Sequence, residues 1–263
     1  MQIKLPVKVW LLFSLSLALM ISSCQANSQS WERIEEAGIV RVGLDPTYPP
    51  FEVTTESGVA GLDVDLARAL AAELGLQTEF VYFGYDGLYD ALATGQVDVL
   101  ISALVVTPGR TRDFAYSKPY YNAGEILIVP SEDNQNKEMA DLSSHILAVE
   151  LGAQGHVEAS QWAKRLRDLT IKPYTSVDEA VAAVAAGEAD AALVDSISGR
   201  LFLANQSPDQ RRLQQIANPV TVEPFAMVVR IEDETLLAKL DEALATLTGS
   251  GELEQIVQRW LGG

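Results

Sequence analysis

Strand-like and helix-like stretches alternate along this chain, and strands separated by helices pair in parallel through right-handed crossovers. Ile39–Leu44 reads as a strand, DVDLARALAAEL as a helix stopped at Gly75, and Phe80–Phe83 as a second strand. Asp63 is expected to cap that helix, whose Val64, Leu66, Ala67, Leu70 and Leu74 form one buried face. Asp86–Thr94 reads as a helix ended by Gly95, and Asp98–Val106 as a buried strand. After Tyr121 the pattern restarts with strands over Ile126–Pro130 and Ile146–Glu150. Gly152-Ala-Gln-Gly155 opens a helix expected to reach about Arg167, and Ser176 with Glu179 forms a capping box before AVAAVAAG. Ala191–Val194 is another buried strand, Phe225–Arg230 resumes strand character, and two helices close the chain, the first capped by Asp233.

One form occurs twice. DALATGQVDVLIS (90–102) and EAVAAVAAGEADAALVDS (179–196) each run from apolar helix through Gly and a turn with Asp to a buried strand. Common α/β packing also produces such echoes, so the pair does not prove a duplication. It predicts two lobes built alike, each with a strand whose carboxyl end faces a crevice, where ligands of open α/β sheets bind. The first strand delivers Ser102 and Ala103 and then, past the turn Thr107-Pro108-Gly109, Arg110; the second delivers Asp195. Taken singly, Arg110 is an ordinary loop arginine and Asp195 a helix cap. Facing each other across a cleft, a guanidinium that forks a carboxylate and an aspartate that takes an ammonium match a zwitterion.

At the N-terminus, Lys4 and Lys8 precede an apolar core from Val9 to Ile21, the layout of an export signal over residues 1–23. Cys24 is the sole cysteine, so no internal disulfide is possible. Ile21-Ser22-Ser23-Cys24 resembles the lipobox of bacterial lipoproteins, which implies a lipid anchor at Cys24; an ordinary secretory signal with an incidental thiol is the alternative. Residues 24–30 read as a polar tether. The net charge of −17 argues against nucleic acid as a partner. His145 and His156 stand apart from any ligand spacing, so no metal site is expected, and no phosphate loop or nucleotide fingerprint calls for a cofactor.

The motifs VGLDPTYPPFEV, GLDVDLARALAAELG, GYDGLYDALATGQVDVLIS, TPGR…YSKPYYNAG, VELGAQG and EADAALVD, in that order, resemble those of family-3 solute-binding proteins. These are extracytoplasmic amino-acid receptors of ABC importers. The resemblance covers Ile39 to Trp260 and implies the type II periplasmic-binding-protein fold, α/β with two open sheets flanked by helices and a two-strand hinge. Lobe 1 would comprise residues 31–120 and 225–263, and lobe 2 the inserted residues 121–224. By position, the resemblance gives the ligand carboxylate to Arg110 and to the backbone N–H groups of Ala153, Gln154 and Gly155. It gives the ammonium to Asp195 with Ala103 and Ser102, and the side chain to Tyr48, Tyr85, Asp45 and Glu150.

The chain departs from the family pattern at Val105 and Ala153, where threonines are usual, and at Gly109 and Ala115. Val105 removes a hydroxyl donor to the carboxylate, worth ~1.5–3 kcal/mol where nothing replaces it. Two carboxylates facing the side-chain end, flanked by two tyrosines, favour arginine, with lysine or ornithine next and glutamine as the alternative. The implied protein is a monomeric binding protein, not an enzyme, that hands an L-amino acid to a membrane permease from the periplasm or the outer face of the membrane. Two rivals stay open: a sensor or chemoreceptor partner, and a periplasmic cyclohexadienyl or arogenate dehydratase, which would need a general acid in the cleft. An end at Gly263 with no further span or effector domain counts against the sensor.

Overall fold

The computed structural model describes residues 29–56 and 58–262, so the export signal and Cys24 lie outside the described residues. In chain order the strands are β1 (Ile39–Leu44), β2 (Thr47–Tyr48), β3 (Glu52–Thr55), β4 (Gly58–Ala60), β5 (Gln77–Tyr82), β6 (Val99–Leu100), β7 (Phe114–Tyr116) and β8 (Tyr121–Asn122). They continue as β9 (Glu125–Pro130), β10 (Ile146–Glu150), β11 (Thr170–Tyr174), β12 (Ala191–Asp195), β13 (Leu213–Gln215), β14 (Pro224–Phe225) and β15 (Val228–Arg230). One sheet has the order β5-β1-β6-β15-β7 and a second the order β11-β10-β12-β9-β13. The first takes back β15 from the C-terminal part of the chain, whereas the second uses only residues 125–215. Between them β8 and β14 pair antiparallel, Tyr121 with Phe225 and Asn122 with Pro224.

Each sheet is covered on both faces. Val40, Val42, Val99 and Ile101 pack with Leu66 and Leu70 of the helix Leu62–Glu73 and with Leu240 and Leu244 of the helix Glu234–Ser250. Leu88, Leu92, Val97 and Leu100 fill the other side. In β9, Ile126 and Ile128 join one cluster and Leu127 and Val129 the opposite one. A strand buried on both faces reads as an unbroken apolar run, as EILIVP does.

The repeated form in the sequence is a repeated set of hydrogen bonds. Asp98 N–H donates to Arg41 O (2.9 Å) while Asp98 Oδ2 accepts from Arg41 N–H (2.9 Å). Asp190 does the same to Ile146, at 2.9 and 2.7 Å. Each aspartate clips the strand it heads to the start of its parallel neighbour. Only Asp98 is buried, and it also takes Arg33 and Arg41 as ion-pair partners at 2.5 and 2.7 Å.

Several local expectations change. Asp63 caps nothing: the helix begins at Leu62 with Gly61 at its cap, and Asp63 is fully buried in the first turn. The strand expected over Asp98–Val106 is only Val99–Leu100, because Ala103 turns left-handed (φ 45°) and leaves the ladder. Asp233 makes no side-chain cap bond and pairs with Arg230 at 2.6 Å instead. The helix from Gln154 ends at Trp162, well before Arg167. The helix Gln29–Ala37 was not expected and begins inside the stretch read as tether, whereas the helix Ser196–Ala204 follows Asp195 as its cap reading allowed. Ser176 does cap its helix, accepting from Glu179 N–H at 3.2 Å.

Candidate functional site

Asp45, Tyr48, Tyr85, Ser102 and Ala103 line one cavity of about 360 Å³, together with Thr47, Val105, Glu223 and Phe225. The first sheet builds most of it: Asp45 follows β1, and Ser102 and Ala103 follow β6, its parallel neighbour. Tyr48 and Tyr85 are 47 % and 59 % exposed, rings presented to solvent rather than packed in a core. Tyr48 stacks on Phe51 with ring centres 5.7 Å apart. Asp45 works as a local clamp: Oδ1 accepts from the Thr47 hydroxyl (2.8 Å) and Oδ2 from Tyr85 N–H (2.9 Å). Its own N–H donates to Ser102 Oγ (3.0 Å). Asp45 thus ties both flanks of the cavity, Tyr85 and Ser102, to the end of β1.

Arg110 lies outside this lining, exposed on the loop after β6. Its guanidinium lies over the Tyr89 ring, 3.9 Å from the centroid. Tyr89 is 7 % exposed and its hydroxyl meets that of Tyr116 at 3.1 Å. Burial and that hydrogen bond hold the Tyr89 phenol up, so the ring stays neutral under the arginine. Sequence reasoning counted Tyr89 as a helix residue and missed this platform. The signal was its place on the buried face of Leu88–Ala93, with an arginine to come after the next strand.

The remaining expected residues sit on the second sheet. Asp195 ends β12 and accepts from Ser198 N–H at 2.9 Å, capping the helix Ser196–Ala204. The capping role and a role toward a ligand use the same carboxylate. Glu150 ends β10, half-buried, and Leu151 beyond it is exposed. Ala153, Gln154 and Gly155 begin the helix Gln154–Trp162, which carries no side-chain cap at its start. Uncapped first-turn N–H groups and the positive end of the helix dipole suit an anion. None of these residues lines that cavity, so the expected ligand groups fall in two sets, one built on each sheet.

Glu125 was not foreseen. It opens β9, is 5 % exposed, and stands directly across the ladder from Asp195. Its Oε2 lies 2.7 Å from where a Cβ on Gly155 would fall, as does Leu193 O, so only glycine fits there. Burial first, then Asp195, Glu223, Glu158 and Glu150, push the Glu125 carboxyl up to about 7. Across the cleft, burial and then Asp195, Glu223 and Glu52 also raise the Tyr48 phenol. Asp195, Glu223, Glu158 and Glu150 thus form a wall of carboxylates about Glu125, close enough to oppose its charge. In sequence Glu125 showed only as a single acid at the head of an apolar run. Among the described residues no group of three His, Cys, Asp or Glu is placed to hold a metal ion.

The model of a family described as bacterial extracellular solute-binding proteins, family 3, matches residues 40–263. An L-arginine-binding protein of Pseudomonas aeruginosa is 28 % identical, the match covering 84 % of this chain and 87 % of that protein. The arginine-binding extracellular protein ArtP of Bacillus subtilis is 25 % identical over 98 % of this chain and 99 % of its own length. Among solved structures, the L-cystine receptor of Neisseria gonorrhoeae in its unliganded open conformation superposes with a TM-score of 0.75. It is 25 % identical, covering 88 % of this chain and 96 % of that one. An ancestral cyclohexadienyl dehydratase superposes with a TM-score of 0.74 at 27 % identity, over 87 % and 95 % of the two chains.

Proposed function

The chain belongs to the bacterial extracellular solute-binding proteins of family 3, and from that premise we propose that it is an amino-acid receptor for an ABC importer. The amino acid enters an open cleft, binds the first lobe's cavity, and favours closure because the second lobe adds Asp195 and the Ala153–Gly155 turn. Arg110 swings from Tyr89 to fork the ligand carboxylate, and Tyr48 and Tyr85 flank its side chain. Cys24 anchors the protein by lipid at the outer face of the membrane. Cys24→Ser is expected to move it from the membrane to the soluble fraction; a membrane-bound variant would remove the anchor.

The observation that carries the ligand class is the carboxylate wall. Burial first, and then the charges of Asp195, Glu223, Glu158 and Glu150 around it, push the Glu125 carboxyl up to about 7. A cationic side chain relieves that repulsion, so arginine is the preferred ligand, then lysine or ornithine. Glutamine is the alternative. Competition calorimetry with arginine, glutamine and glutamate tests this. Glutamate is expected to bind on the order of 100-fold more weakly than arginine, since like charges set against each other cost several kcal/mol. Glutamate binding more tightly than arginine overturns the cationic reading, and preferred glutamine means Glu150 does not face the ligand.

A second reading has one observation in its favour. Glu125, buried beside the cleft with its carboxyl near 7, is the kind of group a dehydratase needs as general acid. Conversion of prephenate or arogenate to an aromatic product would displace the receptor reading.

A further inference from the structure

Behind the cavity floor lie two carboxylates that no ligand reaches. Glu52 and Asp63 are both 0 % exposed. Neither oxygen of Glu52 nor Oδ1 of Asp63 has a hydrogen-bond donor. The two carboxyls adjoin each other, and Glu52 also adjoins the Ser102 hydroxyl. Two buried carboxylates facing each other cannot both be ionised, and a single proton between them satisfies both. The outer oxygen, Asp63 Oδ2, accepts from Ala103 N–H at 2.6 Å and from the Tyr120 hydroxyl at 3.0 Å. Ala103 is a non-glycine residue at φ 45°, a conformation that needs outside support. Tyr120 in turn donates its N–H to Phe225 O, on the return strand β14, at 3.0 Å.

We propose that Glu52 and Asp63 form a proton-sharing carboxyl pair that positions the ammonium subsite, holding Ser102 and Ala103 in place and tying them to the strands that join the lobes. The inference rests on the receptor reading for its ligand. Asp63 is the anchor. It bends the chain out of β6 at the point where the cavity needs backbone rather than ladder, and it leaves one negative charge under that backbone. Glu52 is the proton carrier that makes a second buried carboxylate tolerable, and burial together with Asp63 raises its carboxyl far above the usual range. A glutamine there supplies an N–H donor to Asp63 in place of the shared proton, so the pair's geometry survives Glu52→Gln.

The test compares L-arginine with 5-guanidinopentanoic acid, which lacks the α-amino group, by calorimetry on the full-length protein. Asp63→Asn is expected to weaken arginine at least about tenfold and the des-amino acid by less than about threefold, because only the former uses the positioned subsite. Glu52→Gln is expected to keep arginine affinity within about threefold. In the infrared, the carbonyl band of a protonated carboxyl should persist at pH 8 in the unaltered protein and vanish in Glu52→Gln. Equal losses for both ligands in Asp63→Asn, a tenfold loss in Glu52→Gln, or no such band overturns the proposal. Should Asp63→Asn fail to fold, Glu52→Gln and the band decide it. Absence of any amino-acid binding by the unaltered protein instead overturns the receptor reading, with the band still deciding the shared proton.

Discussion

Arg110→Ala is expected to lose amino-acid binding by on the order of 30-fold to several thousandfold, ~2–5 kcal/mol, while the protein stays folded. The size follows from what the guanidinium meets when the cleft closes. A carboxylate taken out of water and held by two parallel hydrogen bonds is left unpaired by the truncation. The harmlessness to the fold follows from what Arg110 does without ligand. It is exposed, and its side chain lies over the Tyr89 ring. An exposed cation–π contact is worth only ~0.5–1 kcal/mol, so the unfolding temperature should barely move. Arg110→Lys keeps the charge and loses the planar fork, and should recover only part of the affinity. Calorimetry showing near-normal affinity in Arg110→Ala would take the residue out of the site.

Gly124→Ala is expected to destabilise the protein by about 3 kcal/mol, near the upper end for an over-packed methyl. A Cβ on Gly124 would fall 2.2 Å from Thr221 O and 2.6 Å from Thr221 C, both backbone atoms. The segments just beyond the β8–β14 pair meet there. Glu125 N–H donates to Thr221 Oγ1 at 2.8 Å, Val220 N–H to Glu125 O at 2.8 Å, and Ser196 N–H to Gly124 O at 3.1 Å. Backbone cannot move aside as a flexible side chain does, so the two segments must part and these bonds lengthen. The strain reaches the site, since Glu125 and Asp195 are ladder partners one residue away. Denaturant unfolding of the ligand-free protein measures the effect, and unchanged stability would show that the two segments separate freely at this point.

The features legible in the sequence are those built from neighbours along the chain. The Asp98 and Asp190 clips each belong to a helix–Gly–Asp–strand unit, of 13 and 18 residues, and both were visible as a repeat. The uncapped helix start at Ala153–Gly155 and the cap at Ser176 follow the same rule. Asp45, Tyr48, Tyr85, Ser102 and Ala103 were named from motif positions, and the fold gathers them into one cavity because β1 and β6 are parallel neighbours.

What the sequence by itself determined is therefore the alternation, the two sheets, and the residue types at the strand ends, since periodicity and capping act over a few residues. Tertiary structure alone decided what the buried acids do. Asp63 looked like a cap because its sequence neighbours begin a helix, yet its partners are Ala103, 40 positions on, and Tyr120, 57 positions on. Glu125 showed only as an acid heading an apolar run, and the register with Asp195 and the missing Cβ of Gly155 set it beside the expected site residues. A carboxylate in low dielectric takes its charge state and role from whatever surrounds it in space. Those surroundings come from distant parts of the chain, beyond the reach of any local pattern.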